Sequence, residues 1–347
     1  MYIKKILLLI VAITLVAGSI FSYTVYNKIF DPNTSFTEET KEVLIPTGSS
    51  FYDVVAKVSP FIKDVESFSW LAKKKGYATR VKPGKYLLVK GSNNNELISN
   101  LRSRNIPIKI SFNNQERLEN LAGRIAQQIE TDSISLLNVF KEEAFLTEAG
   151  FNLNTALSMY IPNSYQVFWN ISAEGFRNKM LKEYKHFWND KRVKKAQNIG
   201  LKPVEVITLA SIVHKETVKA SERPRVAGVY MNRLKKGMKL DADPTVIYAI
   251  KKSSNNWKRV IRRVLRKDLK LVHPYNTYKN KGLPPGPIAM PDISAIDAVL
   301  NYENHNYFYF VADVEKFGYH KFSKNLRQHN NYSSKYHKWV NSKGIKR

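Results

Sequence analysis

The sequence of 347 residues contains no cysteine. That rules out disulfides, thiolate nucleophiles and cysteine metal sites together. Acid is also scarce, with 29 Asp and Glu against 56 Lys and Arg, a formal charge of +27. A surface that basic draws polyanions such as nucleic acid, anionic lipid or acidic polysaccharide, or it serves only to solubilise. No Gly-rich phosphate loop and no Gly-x-Ser-x-Gly elbow occurs. The segment around His214 lacks the second histidine of a His-Glu-x-x-His zinc helix, so no metal and no cofactor is expected.

Apolar material is plentiful: 43% hydrophobic and 12% aromatic residues suffice for real cores. A strongly apolar run free of charge extends from Ile6 to Tyr26, behind Lys4 and Lys5. As a helix it spans roughly 30 Å, the thickness of a bilayer's hydrocarbon. The paired lysines in front predict an N-terminus that stays cytoplasmic and a chain exposed outside from about Asn27. A cleaved signal peptide would need the poor small-residue site Val16-Ala17-Gly18, and apolar residues continue past it, which favours an uncleaved anchor. Outside the cytoplasm, nucleic acid is not an expected partner. The expected divisions are a tail (1–5), an anchor contacting lipid (6–26), a polar linker (27–42), a small β-α module (43–105) and a larger helix-rich region (106–347).

Val43 to Ile45 reads as a strand and Ser49 or Ser50 as the cap of a helix bearing Phe51, Val54, Val55 and Val58. A second helix follows near Val65 to Lys75, then a strand at Tyr86 to Val89 and a short helix at Asn95 to Leu101. Farther on, the cationic stretch Lys251 to Lys270 reads either as a solvated helix burying Trp257, Val260, Ile261, Val264 and Leu265 or as a cationic wall near an anionic substrate. Tyr307 to Ala312 reads as a strand. The whole is of the α+β class.

Pro203 can open a helix whose apolar residues Val206, Leu209, Ala210, Val213, Thr217 and Ala220 form one stripe. At 100° per residue Glu216 projects at about 280°, beside Leu209 at about 300°, while Lys215 and Ser211 point away. A carboxyl on the margin of a buried face has its pKa raised by desolvation, as a general acid near neutral pH requires. An edge glutamate paired with a lysine or arginine fits the same pattern. Turn-rich clusters of Tyr, Asn and Thr farther on suit a carbohydrate cleft or ordinary loops.

Seven segments occur in fixed order: Leu209-Ala-Ser-Ile-Val-His-Lys-Glu-Thr217, Ala220-Ser-Glu-Arg223, Val229-Tyr-Met-Asn-Arg-Leu234, Asp243-Pro-Thr-Val-Ile-Tyr248, Tyr275-Asn-Thr-Tyr278, Gly282-Leu-Pro-Pro-Gly-Pro-Ile288 and Phe308-Tyr-Phe-Val-Ala-Asp313. Together they resemble the MltG (YceG-like) family of endolytic murein transglycosylases. The resemblance implies cleavage of the MurNAc-to-GlcNAc β-1,4 bond in peptidoglycan glycan strands, with 1,6-anhydro ends and no cofactor. It implies a LysM-like module at 43–105 and a catalytic domain at 106–347. The setting it implies is the outer side of the bacterial cytoplasmic membrane, with cell-wall synthases as neighbours. The family's catalytic glutamate falls on Glu216. Glu222, Asn232, Asp243, Thr245, Tyr275 and Asn276 become candidate substrate residues on the same footing. Two positions depart from the pattern: His214 stands where many members have glutamate, and Met159-Tyr-Ile-Pro-Asn163-Ser-Tyr165 lacks the two acidic residues usual there.

Overall fold

The computed structural model describes residues 2–342. The chain folds as two compact units. One runs to residue 110 and takes in 128–131 and 165–172; the other comprises 111–127, 132–164 and 173 onward. Both mix helix with short strands, and helix predominates.

The first unit begins with α1 (Tyr2–Phe30), one helix long and apolar enough to cross a membrane, with no residue buried against the protein. The hydroxyls of Thr14, Ser19 and Thr24 donate to the carbonyls of Ile10, Leu15 and Ile20. These polar groups are thereby satisfied within the helix, as hydrocarbon demands. The helix extends beyond the uncharged run at both ends, taking in Lys4, Lys5 and Lys28.

After α1 the residues expected as a polar linker are built into the unit. Asn33 and Thr34 are buried. The Asn33 amide donates to Asp64 O (2.9 Å) and Asn94 Oδ1 (2.7 Å), and Thr34 Oγ1 accepts from Gly91 N–H (2.7 Å). Asparagine and threonine read as linker residues, yet their side chains can replace a backbone ladder once partners come close.

Next come β1 (Thr40–Ile45), α2 (Phe51–Val58), α3 (Val65–Lys74), β2 (Gly84–Val89) and α4 (Asn94–Ser103). Ser50 is the cap: its hydroxyl accepts the Asp53 N–H, and Asp53 accepts the Ser50 N–H at 2.7 Å. Strand β1 pairs antiparallel with β2, Thr40 opposite Val89 and Ile45 opposite Gly84. Alternate residues Val43, Ile45, Tyr86 and Leu88 then face Val54, Phe68, Leu71 and Leu97 in one core. A second two-stranded sheet pairs β3 (Pro107–Phe112) with β4 (Asn163–Phe168).

The second unit contains α5 (Leu118–Ala126), α6 (Ser133–Phe140), α7 (Glu143–Glu148), α8 (Ala173–Phe187), α9 (Asp190–Asn198), α10 (Pro203–Glu216), α11 (Arg223–Lys235), α12 (Asp243–Ser254) and α13 (Ile293–Leu300). The hairpin β5 (Tyr309–Ala312) and β6 (His320–Ser323) follows, then α14 (Leu326–Ser342). Helix α10 is its axis, packed by α11, α12 and α13.

The one-sided stripe expected for α10 does not hold. All eight residues from Val206 to Val213 are buried. Ser211, expected to point away, is fully covered; it donates to Thr208 O and accepts from Ile288 N–H at 3.1 Å. Thr217 and Ala220 are not on the helix at all. Thr217 is extended, and its hydroxyl accepts the Lys219 N–H and donates to Glu222, local bonds that end the helix after Glu216.

The cationic stretch is likewise not one helix. Helix α12 stops at Ser254, and Asn255 takes the left-handed conformation (φ 47°) that asparagine tolerates as a helix stop. Beyond it Val260 and Leu265 are 79% and 46% exposed, not buried.

Gly228 on α11 lets the chain at Glu303–His305 cross the helix. A Cβ there would stand 2.4 Å from Glu303 O. In an open helix Gly→Ala stabilises. Here Gly228→Ala is expected to destabilise by about 1–3 kcal/mol through overpacking, read from the urea midpoint.

Candidate active site

Helix α10 delivers its last residue, Glu216, into a cavity of about 390 Å³. Tyr230 and Arg233 of α11, Asp243 at the start of α12, Tyr278, and His329 of α14 also line it. Tyr230 and Arg233 are three apart and therefore share a helix face. The Tyr230 hydroxyl donates to Glu216 Oε1 at 2.8 Å. Glu216 has no ion-pair partner within salt-bridge distance among the described residues.

Burial pushes the Glu216 carboxyl up to about 7. The Tyr230 hydrogen bond opposes this, the Asp243 carboxylate adds to it, and His320 and Arg233 oppose it more weakly. Asp243 accepts the Tyr278 hydroxyl at 2.7 Å. Burial raises the Tyr278 phenol far above its ordinary range, so it remains a donor.

Arg233 braces the cavity. Its guanidinium donates to the carbonyls of Phe308 (2.6 Å), Leu240 (2.8 Å) and Lys239 (3.2 Å) and to Asp241 Oδ2 (3.2 Å). One side chain therefore ties α11 to β5's approach and to the turn before α12. Arg233→Met would orphan these buried carbonyls. It is expected to lower stability by about 3 kcal/mol, seen as a lower melting temperature.

Of the six candidate substrate residues, only Asp243 lines the Glu216 cavity. Glu222 lies behind it, 6% exposed. It accepts the His320 N–H (2.8 Å), His320 Nδ1 (2.6 Å) and the Thr217 hydroxyl (3.3 Å). Burial would raise this carboxyl, but the bonds from His320 prevail and hold it below its ordinary value.

Thr245 is fully buried; its hydroxyl meets Ala242 O (2.7 Å) and Thr277 Oγ1 (2.8 Å), fixing the start of α12. Asn276 is equally buried. Its amide donates to Leu269 O and Leu271 O, and its carbonyl accepts the Tyr278 N–H (2.9 Å). It thus shapes the turn that presents Tyr278. Asn232 donates to His305 O (2.7 Å) and Tyr307 O (3.0 Å), holding the segment before β5. Tyr275 lines a different cavity, with Tyr248.

His214 does not line the Glu216 cavity. Its Nδ1 lies 3.2 Å from Asp292 Oδ2 and 3.3 Å from an Arg223 nitrogen. Burial lowers its imidazole, and the Asp292 charge partly offsets that. Asn163, at the other departure, is exposed and also outside the lining.

Tyr230, Arg233 and Tyr278 lie within the ordered segments but were not among the candidate substrate residues, and His329 lies outside those segments. The first two carried a usable signal, their spacing of three on a helix. His329 carried none, since a separate helix brings it in.

A larger cavity, about 710 Å³, lies at the other end of α10, where Lys202 and Glu205 are. The 13 steps from Pro203 to Glu216 put it roughly 20 Å from the carboxyl. Its one lining carboxylate, Glu205, accepts the Lys202 N–H at 2.7 Å as part of the helix cap, so size does not choose the site.

The sequence profile of the YceG-like family matches residues 43–335. An endolytic murein transglycosylase of Bacillus subtilis is 30% identical over 341 residues, covering 93% of this chain and 91% of that protein. A protein of that name from Streptococcus pneumoniae is 26% identical, covering 86% of this chain and 59% of its own length. The crystal structure of a yceG-like protein from Listeria monocytogenes superposes with a TM-score of 0.56 at 27% identity, over 85% of this chain and 99% of that one. A profile spanning most of the chain, with a relative matched almost end to end, establishes that the chain belongs to the YceG-like family.

Proposed function

We propose that the protein is an endolytic lytic transglycosylase that cleaves the MurNAc-to-GlcNAc β-1,4 bond of peptidoglycan strands and leaves 1,6-anhydro ends. The observation that carries this is one carboxyl, Glu216, raised to about 7 in an open cavity and free of ion pairs among the described residues. At neutral pH such a group is protonated about half the time, so it can give and take a proton in one turnover.

Glu216 first protonates the bridging oxygen as the bond to C1 of MurNAc breaks. Positive charge builds on C1 and the ring oxygen, beside the Asp243 carboxylate. Glu216, now ionised, takes the proton of the C6 hydroxyl as that oxygen closes onto C1. The proton has passed from the C6 hydroxyl to the leaving sugar, and no water is consumed. A hydrolase would need a second carboxylate to activate water or to attack C1. Glu222 is occupied by His320 and Thr217, and Asp243 is bound by Tyr278. Tyr230 orients Glu216 and stabilises its ionised form.

In this reading α1 anchors the protein in the cytoplasmic membrane with Lys4 and Lys5 inside, and the catalytic unit lies outside. Residues 43–105, with their strand–helix–helix–strand order, act as a LysM-like module for glycan. Cell-wall synthases are the neighbours this position provides.

The test is a digest of purified glycan strands with the full-length protein, products resolved by mass. Anhydro ends, a water lighter than reducing ends, are expected. Reducing ends would overturn the transglycosylase step in favour of water activated at Asp243. No cleavage at all would make the protein a glycan-binding scaffold.

A further inference from the structure

A second cavity of about 370 Å³ in the same unit has a chemistry the reaction above does not use. Its wall is aromatic: Tyr248 lies 5.4 Å from Trp257 and 4.7 Å from Tyr275, centroid to centroid. The carboxylates around it are already engaged. Glu119 holds Lys141 (2.6 Å) and Arg117 (3.6 Å), and Glu116 holds Lys251 (3.0 Å) and Lys215 (3.5 Å).

Lys252 is different. Its ammonium stands 4.6 Å from the Tyr275 ring and bonds the Asn154 side-chain carbonyl at 3.2 Å. It has no carboxylate within salt-bridge distance among the described residues. Burial depresses its pKa, a cost that an arriving anion would relieve. The aromatic faces of Tyr248 and Trp257, the latter also stacked by the Arg117 guanidinium at 4.6 Å, beside a cation without a carboxylate partner suit a sugar ring that carries a carboxylate.

Two helices connect this cavity to the catalytic one. Lys215, which grips Glu116 on its rim, is the neighbour of Glu216 on α10. Along α12, Asp243 faces the catalytic cavity, while Tyr248 and Lys252 face the second, roughly 8 and 14 Å farther along the axis and about 140° and 180° around it. That separation is the scale of a few linked pyranose rings.

We propose that the second cavity is a remote subsite for an acidic sugar of the same strand, a muramyl ring against Tyr248 and Trp257 with its carboxylate on Lys252. This rests on the glycan reading above. It would make the enzyme sense sugars at a distance from the cleaved bond, as an endolytic enzyme requires. The carboxylate has two possible sources, the lactyl group of a strand without stem peptides and the acidic residues of an attached stem.

The experiment uses the full-length chain in detergent carrying Glu216→Gln, so that strands bind without being cut. Calorimetry then compares this chain with its Lys252→Met and Lys252→Arg derivatives. The probes are stem-bearing strands, strands stripped of stems by an amidase, and chitin oligomers, which have no carboxylate. Lys252→Met is expected to weaken binding about tenfold, the worth of one charge-assisted hydrogen bond. The loss should fall on stripped strands if the lactyl carboxylate is read, or on stem-bearing strands if the stem is read. Chitin binding should be unchanged, and Lys252→Arg should recover most of the loss.

Equal affinities for Lys252→Met and its parent on both acidic probes would overturn the subsite and leave the glycan reading intact. So would an equal loss on chitin, the mark of a merely structural lysine. A parent chain that binds no strand would overturn the glycan reading and the subsite together.

Discussion

Glu216→Gln is expected to reduce glycan cleavage by roughly 10³-fold while leaving the protein folded, and more stable than wild type at alkaline pH. The activity loss follows from removing the one group that both donates and accepts the proton, each role being worth about 10²–10⁴-fold. Glutamine preserves the shape and can still accept the Tyr230 hydrogen bond, so strands should continue to bind. The stability gain follows from the raised carboxyl. Below about 4.5 the group is protonated in folded and unfolded chains alike, and its titration contributes nothing. As pH climbs from 4.5 toward 7, the unfolded chain ionises first and the folded state loses ground. Above about 7 the cost levels off, at about 3 kcal/mol as an upper bound for a group that retains some exposure to solvent. Thermal melts of both proteins should therefore coincide near pH 4 and separate by pH 8, with the glutamine variant melting higher. Coincident melts at every pH would mean that Glu216 is better solvated than its surroundings suggest.

The pH profile of cleavage should show an alkaline limb that begins near 7, where Glu216 loses the proton it must donate. A single ionisation gives a tenfold fall in kcat/KM per pH unit, so about 100-fold by pH 9. Two substitutions should move that limb in opposite directions. Tyr230→Phe removes a bond that stabilises the carboxylate, so the limb should shift to higher pH. Asp243→Asn removes a like charge that disfavours the carboxylate, so it should shift to lower pH. Each displacement should be on the order of one pH unit. Both variants should also lower the maximal rate, because Tyr230 orients the acid and Asp243 faces the developing positive charge. A limb unmoved by either change would assign it to another group, and the catalytic role of Glu216 would need to be sought elsewhere.

The two departures from the family pattern have different consequences. His214 takes up a pairing with Asp292 and Arg223 away from the cavity, so no second carboxyl competes with Glu216 for protons at that position. Asn163 lies on an exposed strand end, so the missing acid there leaves the Glu216 cavity unaltered.

The sequence alone determined what local chemistry dictates. An uncharged run of membrane length behind two lysines becomes a helix in almost any setting, and a serine at 49 or 50 caps the helix that follows, the structure choosing Ser50. Alternating apolar residues placed β1 and β2, and the position of Glu216 at a buried margin was legible from spacing. Its pKa was legible only in direction. Tertiary structure decided the rest, because each point depends on which distant groups arrive. Periodicity described α10 as a one-sided helix; α11, α12 and α13 surround it, and the Thr217–Glu222 bond ends it early. The linker composition of Asn33 and Thr34 hid side chains that only a folded neighbour could engage. The basic stretch had helical spacing, but Asn255 adopts the left-handed turn, and beyond it Val260 and Leu265 are exposed while Trp257, Ile261 and Val264 are only half-buried. Of the candidate substrate residues, Thr245 and Asn276 do not line the cavity and instead fix the turns that carry Asp243 and Tyr278. A motif marks which residues matter together, and only packing determines which of them meets Glu216.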